Sequence, residues 1–171
     1  PKNMEELQEK KLQELLAYLD ANSPFYQKLF AQHNIKISAV KSLKDLPALP
    51  VTTKEDLQKY NNDFLCVPKN KIIEYTSTSG TLGAPVTVAL TDNDLNRLAE
   101  NEYQSFLCAD GTASDIYQLM ITLDRQFMAG MAYYSGLQKT GAAIVRTGPG
   151  LPPMQIDTAL KLQSTALVAV P

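Results

Sequence analysis

The stretch YTSTSGTLGAP, Tyr75 to Pro85, holds the densest set of groups in this sequence that could do chemistry. Three Thr, two Ser and two Gly fall within eleven residues. Gly80 and Gly83 let the backbone fold tightly and aim successive N–H groups into one concavity. The hydroxyls of Thr78, Ser79 and Thr81 add donors to the same concavity. Such a loop can wrap the oxygens of a polyphosphate. Ser, Thr and Gly are also ordinary turn residues, so a solvent-exposed hairpin tip is the alternative.

Other chemistry-bearing patterns are sparser. The chain has no G-x-x-x-x-G-K-[ST] run and no G-x-G-x-x-G after a strand, which removes the Walker-type and dinucleotide fingerprints. GPG at 148–150 reads as a plain turn. The single histidine, His33, lies in the N-terminal helical part. Without a second histidine a zinc-hydrolase site has too few ligands, and a Ser-His-Asp triad would have to recruit His33 from the wrong part of the chain. Glu5-Glu6 and the Asp92/Asp94 pair stand at helix starts, where negative charge suits the helix dipole. Cys66 and Cys108 sit far apart in no metal or redox spacing, and either suits a small core position.

The 171 residues allow one domain, or one domain with a small appendage. A composition of 44% hydrophobic and 20% charged residues is that of a globular protein. A net charge of −2 leaves no electrostatic footprint for nucleic acid and no polybasic membrane patch. No apolar run approaches a membrane span, and the charged N-terminus lacks the apolar core of a secretory signal, so the expected compartment is the cytoplasm.

The loop needs elements to hold it, and the hydrophobic pattern supplies them. The sequence divides near residue 70, into an N-terminal helical segment (1–70) and an α/β part (71–171). Met4, Leu7, Leu12, Leu15, Leu16 and Leu19 recur at helical spacing, and Ser23-Pro24 ends that helix. A short second helix follows around Phe25, Tyr26, Leu29 and Phe30. Pro47 and Pro50 predict an extended linker. Thr53 with Asp56 predicts a capped helix over Lys54–Tyr60.

Beyond residue 70, KIIEYT and PVTVAL read as strands joined by the Ser/Thr/Gly loop. A helix opens at Thr91–Asp94, with Gly111 as its stop. DIYQLMIT reads as a buried strand and FMAGMAYYSGLQKTG as a helix ended by Gly141. AAIVR, MQIDTALKLQS and TALVAV then read as strand, helix and strand. This alternation predicts an α/β fold with a mostly parallel sheet and crossover helices. The last strand reaches Pro171 with no helix after it, which predicts that the chain is part of a larger sheet.

The run TSTSGTLGAPVTVALTDNDL resembles the signature loop of the adenylate-forming superfamily, which holds acyl-CoA synthetases, luciferases and peptide-synthetase adenylation domains. Within it, the phenylacetate–CoA ligases are the nearest match. NSPFYQKLF with LKDLPALPVTTKEDLQ resembles that family's N-terminal segment. LTDNDLNRLAENEYQSFLCADG and GLQKTGAAIVRTGPG resemble the elements after the loop. The resemblance runs from about Ser23 to Pro171.

It implies an enzyme that uses MgATP to turn a small carboxylic acid, by default an aryl acid such as phenylacetate, into an acyl-adenylate. The acyl group then passes to coenzyme A. Thr78, Ser79, Gly80, Thr81 and Gly83 inherit the ATP phosphates. Arg125, Phe127 and Gly130 fall where the family lines its acid pocket, although Arg125 equally suits a surface ion pair with Asp124 or Asp115, and Phe127 equally suits the core.

Three departures weaken the match. Leu82 replaces a threonine of the motif. Ala84 and Val86 stand where a lysine is common. Asp124 and Arg125 interrupt a Gly- and Tyr-rich run. The family's adenine, ribose and magnesium motifs and its catalytic lysine have no counterpart in these residues, so no catalytic or metal-binding residue is assigned, and residues 1–171 alone are expected to be inactive. A different reading makes the chain a non-catalytic dimerisation or scaffold module, paired through its N-terminal helices, with a degenerate phosphate loop.

Overall fold

The computed structural model describes residues 2–78, 80 and 84–170, apart from the side chain of Lys2. The chain forms two compact units, Pro1–Lys71 with Ser79–Thr87, and Ile72–Thr78 with Val88–Pro171.

In the first unit, α1 spans Lys2–Asn22 and α2 spans Pro24–Gln32. Ser23 makes the corner between them. It is fully buried, its hydroxyl accepts from the Tyr26 amide, and it donates to the Asp63 carbonyl at 3.0 Å. The leucine stripe of α1 divides. Leu16 is buried against Phe30 and Val40, with Leu12 and Leu19 beside it, whereas Met4, Leu7 and Leu15 are exposed. His33 caps the C-terminal end of α2.

The stretch around Pro47 is not an extended linker. Leu43–Ala48 forms a 3₁₀ turn with Pro47 inside it. The Asp45 carboxylate accepts from the amides of Lys41 and Ser42, both at 2.9 Å, which starts the turn. The fixed φ of proline lies within the 3₁₀ range, so the ring completes it. The capped helix is α3, Lys54–Lys59, with the Thr53–Asp56 box formed as the sequence predicts. Phe25 stacks on Phe64 at 3.9 Å between ring centroids.

In the second unit, β1 (Ile72–Ser77) and β2 (Thr87–Thr91) form a two-stranded sheet. α4 (Asp92–Cys108) starts on a capping box between Thr91 and Asp94. It does not stop at Gly111. The helix is capped at Ala109, and Asp110 takes the left-handed conformation at φ 59°. Gly111 is needed for space instead, because a Cβ there would meet the Phe106 carbonyl at 2.9 Å as well as the Tyr117 hydroxyl. Cys108 is exposed, against its expected core role, because the last turn of α4 faces solvent there; Cys66 is half-buried.

The remaining elements are β3 (Ile116–Leu119), α5 (Met128–Thr140), β4 (Ala143–Arg146), α6 (Pro152–Leu162) and β5 (Ala166–Val168). The three strands form a parallel sheet in the order β4-β3-β5. Central β3 pairs Ile116 with Ala143 on one side and Tyr117 with Ala166 on the other. It is shorter than DIYQLMIT: the Met120 amide still donates to the Val168 carbonyl at 2.8 Å, and the chain leaves the sheet beyond it. Leu119 and Leu137 are fully buried, and Phe106, Tyr117 and Ile121 complete the core around them. α5 lies against α4, and Gly136 sits where a Cβ would come within 3.0 Å of the Glu102 and Tyr103 backbone. Gly141 ends α5 at φ 79°, as its place in the sequence predicts. Among the described residues no helix is long and apolar enough to cross a membrane.

Candidate functional site

Of the phosphate-loop candidates, Ser79, Thr81 and Gly83, together with Leu82, lie outside the described residues. Thr78 and Gly80 are described. Thr78 is exposed, and its carbonyl accepts from the Ser77 hydroxyl at 3.2 Å. Gly80 has φ 66°, a left-handed conformation open to glycine at no steric cost. Ahead of the loop, Thr76 is buried.

The residues after the loop are fixed within the first unit. The Gln58 side chain donates to the Ala84 carbonyl, and Asn61 Nδ2 donates to the Thr87 carbonyl at 2.8 Å. Val86 is buried, so a lysine at that position would displace a core side chain. Ala84 is exposed.

A second feature lies within the second unit. All three strands of the parallel sheet run the same way, and ligands of such sheets collect beyond the carboxyl ends of the strands. A cleft of about 260 Å³ opens there. Its walls are Met120, Ile121 and Thr122 after β3, Pro149 and Gly150 after β4, Ala169 and Val170 after β5, and Phe127 at the start of α5. The lining is apolar apart from the Thr122 hydroxyl and the backbone.

The three pocket candidates separate in the structure. Phe127 lines the cleft. Gly130 is buried one step behind, with the Thr122 carbonyl so close that no Cβ fits. Arg125 points away. It is 87% exposed and pairs with Asp124 at 3.9 Å, which is the surface ion pair. The Thr122 hydroxyl, bonded to the Asp124 carboxylate, is the main cause that holds this carboxyl below the usual aspartate range.

Two features were not picked out from the sequence. Arg125 and Gln126 are consecutive left-handed residues, at φ 58° and 59°, and the Gln126 carbonyl accepts from the Ser77 amide at 3.0 Å. The turn before Phe127 is thereby tied to the end of β1. The other is a buried amide pair. Gln118, in the middle of β3, has no exposed surface, and Gln155 on α6 is 4% exposed. Gln118 Nε2 donates to the Gln155 side-chain oxygen at 2.8 Å and to its carbonyl at 3.0 Å. A glutamine amid the apolar residues of IYQLMI was the available signal. No cluster of His, Cys, Asp or Glu that could hold a metal ion occurs among the described residues.

Known proteins resemble this chain in sequence and in fold. It is 30% identical to the phenylacetate-coenzyme A ligase of Thermus thermophilus over 151 residues, which are 88% of this chain and 34% of that protein. It is 26% identical to the phenylacetate-coenzyme A ligase of Escherichia coli over 169 residues, 98% of this chain and 38% of that protein. The chain thus spans between 34% and 38% of the length of these curated relatives. Its fold matches 2-hydroxyisobutyryl-CoA ligase, solved in complex with 2-HIB-AMP and CoA in an open conformation, with a TM-score of 0.83. That match is 21% identical and covers 98% of this chain and 40% of the other. No protein-family model matches the chain.

Proposed function

We propose that this chain, which is similar in sequence to phenylacetate–CoA ligases and in fold to 2-hydroxyisobutyryl-CoA ligase, is the N-terminal part of an AMP-forming acid–CoA ligase and supplies its phosphate loop and a wall of its acid pocket. The observation that carries the reading is the likeness to acid–CoA ligases over 88% to 98% of the chain. The cleft at the carboxyl ends of the strands is consistent with it.

In the first step a carboxylate oxygen attacks the α-phosphorus of ATP. The bond from that phosphorus to the β-bridging oxygen breaks, and pyrophosphate leaves with the negative charge. Backbone N–H groups and hydroxyls that donate to those oxygens would lower the barrier by stabilising the charge that develops there. Thr78, Ser79, Gly80, Thr81 and Gly83 take this role. In the second step the thiolate of coenzyme A attacks the acyl carbon and AMP leaves.

The acid takes the 260 Å³ cleft, with its apolar body against Ile121 and Phe127. α5 begins beside the cleft with no side-chain cap at Phe127, and a helix N-terminus favours an anion. Gly130 lets α5 approach Thr122. Arg125 stays at the surface with Asp124. Magnesium, which the resemblance implies, would neutralise charge on the ATP phosphates; no cluster of His, Cys, Asp or Glu that could hold it occurs among the described residues, and no step here runs through it.

The experiment is pyrophosphate release by the full-length gene product, given MgATP, coenzyme A and a panel of aryl and small aliphatic acids. Release with at least one acid is expected, and none is expected from residues 1–171 alone. Failure of the full-length protein with every acid would overturn the reading. The absence of a lysine at Ala84 and Val86 favours one rival, a non-catalytic scaffold. A scaffold would show no protection by MgATP against proteolysis or heat.

A further inference from the structure

We propose that Gln155 is a positioning residue for the acid cleft: its side-chain amide holds the 148–150 turn that forms one wall. This rests on the reading of the cleft as the acid pocket.

The turn after β4 takes two glycines and one strained residue, Leu151, through the left-handed region. Gly148, Gly150 and Leu151 have φ values of 70°, 84° and 49°. Open space surrounds the Cα of both glycines, so backbone conformation rather than crowding sets their identity. A non-glycine residue in the left-handed region costs about 1–2 kcal/mol. Such a turn persists only when its surroundings over-determine it.

Gln155 supplies much of that determination. Its Nε2 donates to the Gly148 carbonyl at 2.7 Å and to the Gly150 carbonyl at 3.0 Å. Its backbone amide donates to the Leu151 carbonyl at 3.1 Å. Gln118 holds the Gln155 side-chain oxygen, and Ser164 Oγ donates to the Gln118 oxygen at 3.1 Å. Tying α6 to β3 needs only the bond between the two glutamines. Both Nε2 protons of Gln155 go to the turn instead, and Pro149 and Gly150 are cleft wall.

The test separates positioning from stability. Gln155→Met alone would take from the buried Gln118 amide its bond to the Gln155 side-chain oxygen, leaving it the Gln155 carbonyl and Ser164, and would set a thioether against a buried polar side chain. The double variant Gln118→Leu/Gln155→Met removes both partners of the buried amide pair, which spares the core an unmatched amide, and takes from the Gly148 and Gly150 carbonyls the bonds that hold the turn. Ser164→Ala disturbs the same network at its far end and leaves the turn bonds in place.

Two quantities are read in the full-length gene product: hydrogen exchange of the amides from Thr147 to Leu151, and KM for phenylacetate, or for the best acid of the panel, in pyrophosphate release. The double variant is expected to speed exchange at the turn and to raise the acid KM about tenfold, the size of one or two lost hydrogen bonds, with KM for ATP within twofold. Ser164→Ala should move neither. Unchanged exchange in the double variant overturns the proposal. So does faster exchange with an unchanged acid KM. A wild-type protein that activates no acid overturns the acid-ligase reading and this role with it, and the exchange data then show separately whether Gln155 pins the turn.

Discussion

Replacing Gly130 by alanine sets two effects of opposite sign against each other. Gly130 lies in the first turn of α5, and a helical Gly→Ala change gains about 0.8–1.0 kcal/mol from propensity alone. The new methyl, however, would collide with the Thr122 carbonyl oxygen and lie 3.1 Å from its carbon and 3.2 Å from Leu123 Cα. All three are backbone atoms, so no side chain can rotate out of the way. Overpacking of this kind costs about 1–3 kcal/mol, and a backbone obstacle belongs at the upper end. The net expectation is a loss of about 2 kcal/mol. For a chain of this length that lowers the midpoint of thermal unfolding by about 4–8 °C. Calorimetry or circular dichroism reads it directly. The same displacement moves Thr122 and Phe127, so the acid KM should rise more than the KM for ATP. An alanine variant as stable as the wild type would refute the close approach of Thr122 to α5.

Two other perturbations test other parts of the fold. Leu137→Ala removes a fully buried side chain and should cost about 2–5 kcal/mol, whereas Leu160→Ala, at a position 75% exposed, should change stability by less than about 0.5 kcal/mol; urea unfolding compares them. The Asp115 carboxyl is held below its usual range, first by the Thr112 amide and then by the hydroxyls of Thr165 and Thr112. A pKa lowered by folding stabilises the protein above the ordinary aspartate value of about 3.9, and the contribution is lost as pH falls through the lowered value. The stability gap between wild type and Asp115→Asn should therefore be full at pH 7 and shrink on acidification below pH 4. A gap that stays constant down to pH 2.5 would rule out this role for Asp115.

What was legible in the sequence followed from local rules. The Thr53–Asp56 box, the helix start at Thr91–Asp94, Gly141 after α5, and the strand–helix alternation each follow from groups close together in the chain. The misread parts depended on distant groups or on space. Pro47 points to an extended linker, yet a short 3₁₀ turn needs the φ that proline already has. Gly111 looked like a helix stop, yet its role is to leave room for Tyr117, six positions on in sequence and across a turn in space. Leu7 and Leu15 share the helical spacing of Leu16, but only Leu16 meets Phe30 and Val40. Gln118 bonds a residue 37 positions away, which no local pattern could announce. At the site, Phe127 reaches the cleft and Arg125 does not, because two left-handed residues turn the chain between Asp124 and Phe127.

The strand order β4-β3-β5 also bears on how the protein is made. Central β3 leaves the ribosome before either neighbour, and its second edge stays open until β5 follows. The bond from the Ile116 amide to Thr165, which helps close that edge, spans 49 residues. At roughly 5–20 residues per second, synthesis leaves the edge unpaired for about 2–10 s. During that time the Gln118 amide lacks Gln155, and water supplies its hydrogen bonds. A polar side chain in the middle of an otherwise apolar strand then makes the waiting edge a poorer template for another nascent chain.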